Sequence, residues 1–197
     1  MPDHSIQSFE AAYAGTPPWD IGRPQPEVVR LAEEGGFRAD VLDVGCGTGE
    51  NSLFLASRGH PVVGIDGAPT AIARAQAKAA ERGIRAAFLV HDALDLGALR
   101  HRFTTALDCG LFHVLEDGDR KRYAESLAAA LGPGGILHLL CFSEEEPPGP
   151  GPRRVSQWEI QDSFRGPFVV TGARAAKLFS HLHEAGARAW LMTLQRN

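Results

Sequence analysis

The sequence lacks most of what would mark a secreted, membrane-bound or metal-stapled protein. Its three cysteines, Cys46, Cys109 and Cys141, are odd in number and far apart, and none belongs to a C-x-x-C pair. That excludes the usual zinc and disulfide frameworks; reduced thiols and no metal site are expected. The longest apolar run, Ile136 to Phe142, is broken by His138 and is too short to span a bilayer. The start, Met1-Pro2-Asp3-His4, shows no basic, apolar leader, so a cytoplasmic address is expected. There is no long Lys/Arg tract. With a net charge of -4, only Arg100-His101-Arg102 and Arg120-Lys121-Arg122 offer local basic spots, which makes nucleic acid a poor candidate partner. No internal repeat of solenoid length is visible. What remains is a chain of 197 residues, 44% apolar and 22% charged, the size and balance of one globular domain, acting as a monomer or homodimer.

The middle of the chain alternates. Val41 to Val44, Val62 to Ile65, Ala87 to Val90, Ala106-Leu107 and Ile136 to Leu140 are short apolar runs that read as strands. Between them lie helical segments, the clearest being Pro69 to Arg82, with proline in the first turn and Gly83 where a helix stops. A second should run from Asp117 or Asp119, acting as cap, through Leu131 to the stop Gly132-Pro133-Gly134-Gly135. Strands separated by helices of this length need crossovers, so a doubly wound, mainly parallel α/β sheet is expected. Residues 1–24, with Pro17, Pro18 and Pro24 around Trp19, read as an N-terminal lid over a core formed by residues 25–197, and residues 144–154 are too rich in proline for anything but a loop. Ser156 to Phe164 reads as a short helix. Phe168 to Lys177 and Ala187 to Leu194 read as a closing antiparallel pair, turning near Glu184-Ala185-Gly186.

The most informative segment is Val41-Leu42-Asp43-Val44-Gly45-Cys46-Gly47-Thr48-Gly49-Glu50-Asn51, a strand running through a glycine turn into a helix. Glycines let the backbone turn tightly and approach a ligand, and the following helix start offers unpaired N–H groups. Dinucleotide binders space these glycines G-x-G-x-x-G. Here the spacing is G-x-G-x-G and Glu50 stands where the last glycine would fall, which disfavours a pyrophosphate and hence a nicotinamide-dependent oxidoreductase. Asp66 ends the second strand, about 20 residues past the first glycine, where an acid accepts both hydroxyls of a ribose; capping of the next helix is the structural alternative. Asp92 ends the third strand and either accepts from an adenine amino group or caps a turn. Asp43, Asp66 and Asp92 are thereby expected to point into one crevice.

These residues, with Gly64-Ile65-Asp66, His91-Asp92-Ala93, Asp108 to Leu115 and Leu131 to Gly135, resemble the class I S-adenosylmethionine-dependent methyltransferases from Val41 to Phe142. Pro17 to Gly22 with Leu111 to Leu115 looks most similar to a small-molecule branch that includes mycobacterial heterocyclic-toxin methyltransferases and, more distantly, thiopurine and tellurite-resistance methyltransferases. The resemblance implies a Rossmann-like seven-stranded sheet of order 3-2-1-4-5-7-6 with strand 7 antiparallel. It implies S-adenosylmethionine as cofactor, with Gly45, Cys46, Gly47 and Gly49 against its methionine part and Asp43 among the cofactor-binding residues. Asp66 would hold the ribose, Asp92 and Ala93 the adenine, and Cys109 would line the methionine end beneath a lid carrying Trp19. The partner implied is a small-molecule acceptor, with an aromatic or heterocyclic hydroxyl preferred over a thiol or ring nitrogen. A module that binds the nucleoside without catalysis remains an alternative. His113, just past the fourth strand, is the candidate general base, since imidazole titrates in the useful range; a histidine that only packs there is the alternative.

Overall fold

A computed structural model describes residues 5–149 and 151–197. Seven strands form one sheet: β1 (Val41–Val44), β2 (Val62–Asp66), β3 (Ala87–Val90), β4 (Phe103–Cys109), β5 (Leu131–Phe142), β6 (Phe168–Ser180) and β7 (His183–Arg196). Their order is β3-β2-β1-β4-β5-β7-β6. The first five strands run parallel and β7 is antiparallel to both its neighbours. This is the Rossmann-like methyltransferase topology that the resemblance implied.

The helices are α1 (Ile6–Ala12), α2 (Pro26–Glu33), α3 (Glu50–Ser57), α4 (Pro69–Arg82), α5 (Asp117–Ala130) and α6 (Gln157–Ser163). Strand β1 lies between β2 and β4 and all four of its residues are buried; continuous burial is what a central parallel strand requires. Proline opens α2 and α4, where its missing N–H is no loss, and α4 ends on Gly83 at a left-handed φ of 64°. Ser156 and Glu159 close a reciprocal capping box at the start of α6. Among the described residues no helix is long and apolar enough to cross a membrane.

Four local expectations change. The N-terminal cover contains a helix, α1, capped by Ser5, whose hydroxyl accepts from the Ser8 N–H. Glu116 occupies the cap position of α5 without a side-chain bond, while Asp117 and Asp119 sit in its first turn, where carboxylates meet the positive end of the helix dipole. The Gly132-Pro133-Gly134-Gly135 stop is absorbed at the start of β5, where pairing jumps from Phe103–Leu131 to Thr105–Ile136. The last hairpin turns at His181-Leu182, earlier than expected: Gly186, at φ 78°, lies inside β7 beside Lys177. A glycine at an irregular point of a long strand imitates the signal of a turn.

Candidate active site

Because β1 is flanked by β2 on one side and β4 on the other, the connections that leave their C-terminal ends diverge and open a crevice. A cavity of about 600 Å³ occupies it, within the range of small-molecule sites. Its walls include the Gly45–Asn51 turn, Asp66 and the residues following β3. Apolar side chains line it as well: Phe9 and Trp19 of the N-terminal cover, Leu111 after β4, Phe142 at the end of β5, and Leu178 and Phe179 of the β6–β7 hairpin.

The glycine turn has the shape that a closely held ligand needs. Gly47 has φ 55° and a Cβ there would lie 3.0 Å from the Tyr13 hydroxyl; Gly49 has φ 84° and a Cβ would lie 2.9 Å from Phe88 and Ala75. One glycine keeps the cavity surface bare and the other lets α3 pack against α4 and β3. Asp66 ties the turn to β2: Oδ2 accepts from the Gly47 N–H at 2.9 Å and Oδ1 from the Ala68 N–H at 2.8 Å. Burial still pushes its pKa up, although the two amides oppose this. Each carboxylate oxygen retains a lone pair beyond these bonds. A bare glycine surface, a carboxylate at a strand end and backbone amides at the start of α3 fit a nucleoside carrying an amino-acid tail.

Asp43 is not part of this surface, contrary to the expectation that three acids share one crevice. It is buried beneath the turn, where Oδ2 accepts from the Ser52 hydroxyl at 2.6 Å. Burial above all, with Asp108 and Asp66 nearby, raises its pKa to about 7 despite the bond from Ser52. It braces α3 against β1. Asp92 and Ala93 do line the cavity, and the Asp92 carboxylate also accepts from the Leu94 N–H at 2.9 Å, capping the 3-10 turn that follows. Cys46 and Cys109 line it too, with thiols pushed up by burial, so neither is a thiolate nucleophile.

Glu50 explains itself through partners rather than through the ligand. Burial alone would raise its pKa, but a bidentate pair with Arg82 at 2.8 and 2.9 Å and a bond from Lys78 at 2.8 Å outweigh that and lower it. Lys78 also donates to the Thr48 hydroxyl, which in turn donates to Asp20 at 2.9 Å. The N-terminal cover is thereby latched to the glycine turn. On its other side the cover is stitched to the hairpin tip by the His181 N–H on the Pro18 carbonyl and by Gln25, which exchanges two hydrogen bonds with the Phe179 backbone.

His113 is buried and lines the cavity, and its Nδ1 accepts from the Phe142 backbone N–H at 3.1 Å. An imidazole that accepts at Nδ1 carries its proton on Nε2. A second proton would have to arrive at Nδ1, against the N–H of Phe142, so this geometry is at odds with the general-base expectation. Trp19 lines the cavity with its Nε1–H on the Tyr13 hydroxyl at 3.0 Å. Tyr13, Gln25, Ser180 and His183 were missed by sequence reasoning. Only long-range contacts bring them to the site, and no local spacing marks them.

A family model described as a methyltransferase domain matches residues 41–135. The chain is 38% identical over 192 residues to 2-heptyl-1-hydroxyquinolin-4(1H)-one methyltransferase of Mycobacteroides abscessus, covering 92% of this chain and 85% of that protein. It is 32% identical over 165 residues to probable thiol methyltransferase 2 of Arabidopsis thaliana, covering 82% and 73%. Among solved structures, a protein described in connection with conversion of a disulfide bond into a thioacetal group during echinomycin biosynthesis superposes with a TM-score of 0.90 at 35% identity, over 98% of this chain and 93% of that one. With the fold, the glycine turn and these likenesses together, the chain belongs to the S-adenosylmethionine-dependent methyltransferases.

Proposed function

We propose that this enzyme methylates a hydroxyl group on a small aromatic or heterocyclic molecule. The observation that carries the reading is one cavity lined both by Gly45, Cys46, Gly47, Gly49 and Asp66 and by the apolar side chains of Phe142, Leu178, Phe179 and Trp19. In this reading Asp66 holds the ribose, Asp92 and Ala93 border the adenine, and Cys109 lies beside the methionine portion. The cofactor supplies an electrophilic methyl group on a sulfonium.

The protein's own contribution is placement and exclusion of water. Phe9, Trp19, Leu178 and Phe179 enclose a flat apolar acceptor, and the latch from Asp20 through Thr48 to Lys78 holds the cover down while both molecules are bound. His113, with its proton fixed on Nε2 by Phe142, donates to the acceptor's heteroatoms and orients the nucleophile. The quinolone methyltransferase at 38% identity supports a heterocyclic hydroxyl. The thiol methyltransferase at 32% favours sulfur as the second reading. A screen with isotopically labelled methyl donor against phenols, hydroxyquinolines, quinols and thiols tests both: label on oxygen of the ring compounds is the expected result, and label on thiols alone overturns it.

A further inference from the structure

Methylating a neutral hydroxyl releases a proton, and His113 is wired to donate rather than to receive it. Two other histidines line the same cavity: His91, whose Nε2 lies 2.8 Å from the Asp95 carbonyl, and His183. His183 opens β7 at the hairpin tip and meets the Phe142 ring edge to face, with centroids 5.2 Å apart, while His113 lies against the same ring at 5.1 Å. Its Nδ1 is 3.1 Å from the Ser180 hydroxyl. Its Nε2 is 3.9 Å from Glu146 Oε1, an ion-pair distance, and the other oxygen of Glu146 is anchored by the Arg188 backbone N–H at 2.7 Å. Ser180 also lines the cavity.

Ser180 has one proton and two lone pairs, and one lone pair receives the Leu182 N–H at 3.3 Å. In the His183 tautomer whose proton sits on Nε2, on the side of Glu146, Nδ1 accepts the Ser180 proton and the second lone pair is left for an incoming O–H. Glu146 stands on the far side of the ring, where it stabilises the imidazolium that results. The charged group against His183 is Glu146, from the loop after β5; Arg154 and His113 lie on the same Phe142 ring as His183, and the Arg188 guanidinium is engaged by the Glu145 carbonyl.

Resting on the hydroxyl-acceptor reading above, we infer that Ser180, His183 and Glu146 form the proton-accepting relay of this enzyme. The acceptor's proton passes to Ser180 Oγ as the serine proton passes to His183 Nδ1. The electron pair left on the acceptor oxygen forms the new O–C bond as the S–C bond breaks, and His183 releases the proton to water once the product has left. Ser180 touches the acceptor, and His183 and Glu146 act through it. The substrates served are weakly acidic hydroxyls that are neutral when they bind.

The test varies the acidity of the acceptor. With a phenol neutral at the assay pH, His183→Asn should lower kcat about 100-fold, the scale of general-base assistance, and Ser180→Ala should do the same. With a nitrophenol already ionised at that pH, the loss should shrink to a few-fold. The kcat of His183→Asn with the neutral phenol should climb with pH toward the wild-type value as the phenol ionises. A second readout needs no turnover: nitrophenol bound at a pH below its own pKa should absorb as the phenolate in wild type and as the phenol in His183→Asn. Equal losses with neutral and ionised acceptors, or identical spectra of bound nitrophenol, overturn the relay while leaving hydroxyl methylation intact. Absence of methyl transfer to any phenol by the wild-type enzyme overturns the hydroxyl reading itself. Thermal unfolding and adenosylhomocysteine affinity of each variant, expected at wild-type values, separate these outcomes from misfolding.

Discussion

Replacing Asp66 by asparagine separates two jobs that one carboxylate performs. Its two oxygens accept from two backbone amides, Gly47 and Ala68, at 2.9 and 2.8 Å. An asparagine has one oxygen and one NH2, so one of those amides must face a donor. Losing a hydrogen bond to a charged group is worth about 1.5–3 kcal/mol, but asparagine also relieves the desolvation that raises the Asp66 pKa. The net loss of stability without ligand should be about 1–3 kcal/mol. At roughly 2–4 °C per kcal/mol for a chain of this size, the melting temperature should fall about 3–10 °C. Ribose binding adds a second effect, because an amide oxygen accepts from one sugar hydroxyl where a carboxylate accepts from both. A further loss of about 1.5–3 kcal/mol corresponds to roughly 10- to 150-fold weaker binding. Thermal unfolding of the unliganded protein reads the first effect, and calorimetric titration with adenosylhomocysteine reads the second. A lower melting temperature with unchanged affinity refutes the ribose assignment, and no change in either refutes the account of the turn.

Three further outcomes are expected. Gly49→Ala forces a left-handed residue, about 1–2 kcal/mol, and a Cβ 2.9 Å from Phe88 and Ala75, about 1–3 kcal/mol; a melting temperature lower by roughly 5–15 °C in the unliganded protein is the measurement. The raised pKa of Asp43, about 7 against an ordinary 3.8, means that its contribution to stability is fully present below about pH 4 and is lost as pH rises through about 7. Asp43→Asn should therefore shrink the stability gained on acidifying from about pH 8 to about pH 5, as followed by urea unfolding; an unchanged gap would place the titration elsewhere. His113→Ala should lower turnover by one constant factor across the pH profile, because a fixed donor is lost; a loss confined to the pH range where a histidine is neutral would restore the base assignment.

The part of the cavity proposed to hold the nucleoside was legible because its determinants are local. A strand, a glycine turn and a helix start lie within Val41 to Ser57, Asp66 ends the next strand and Asp92 follows the one after by two residues, so short-range patterns place them together. Asp43 was misplaced for a physical reason: side chains alternate across a strand, and its neighbour Ser52 on α3 captures it beneath the turn. The acceptor half was far less legible. Tyr13, Gln25, Ser180 and His183 line one cavity from opposite ends of the chain, held there by contacts such as Gln25 with Phe179, and no periodicity encodes that proximity. The role of His113 turned on one backbone hydrogen bond from Phe142, which no sequence pattern specifies.

The hairpin of β6 and β7 reaches from the far edge of the sheet to the cavity, and its tip carries Phe179, Ser180 and His183 while its long arms do no chemistry. Changes at Phe179 or Leu182 of that bend therefore alter the wall of the cavity without touching Ser180, His183 or the glycine turn. Glycines and carboxylates encoded far upstream stay as they were, so one short bend can diversify while the rest of the sheet is inherited intact.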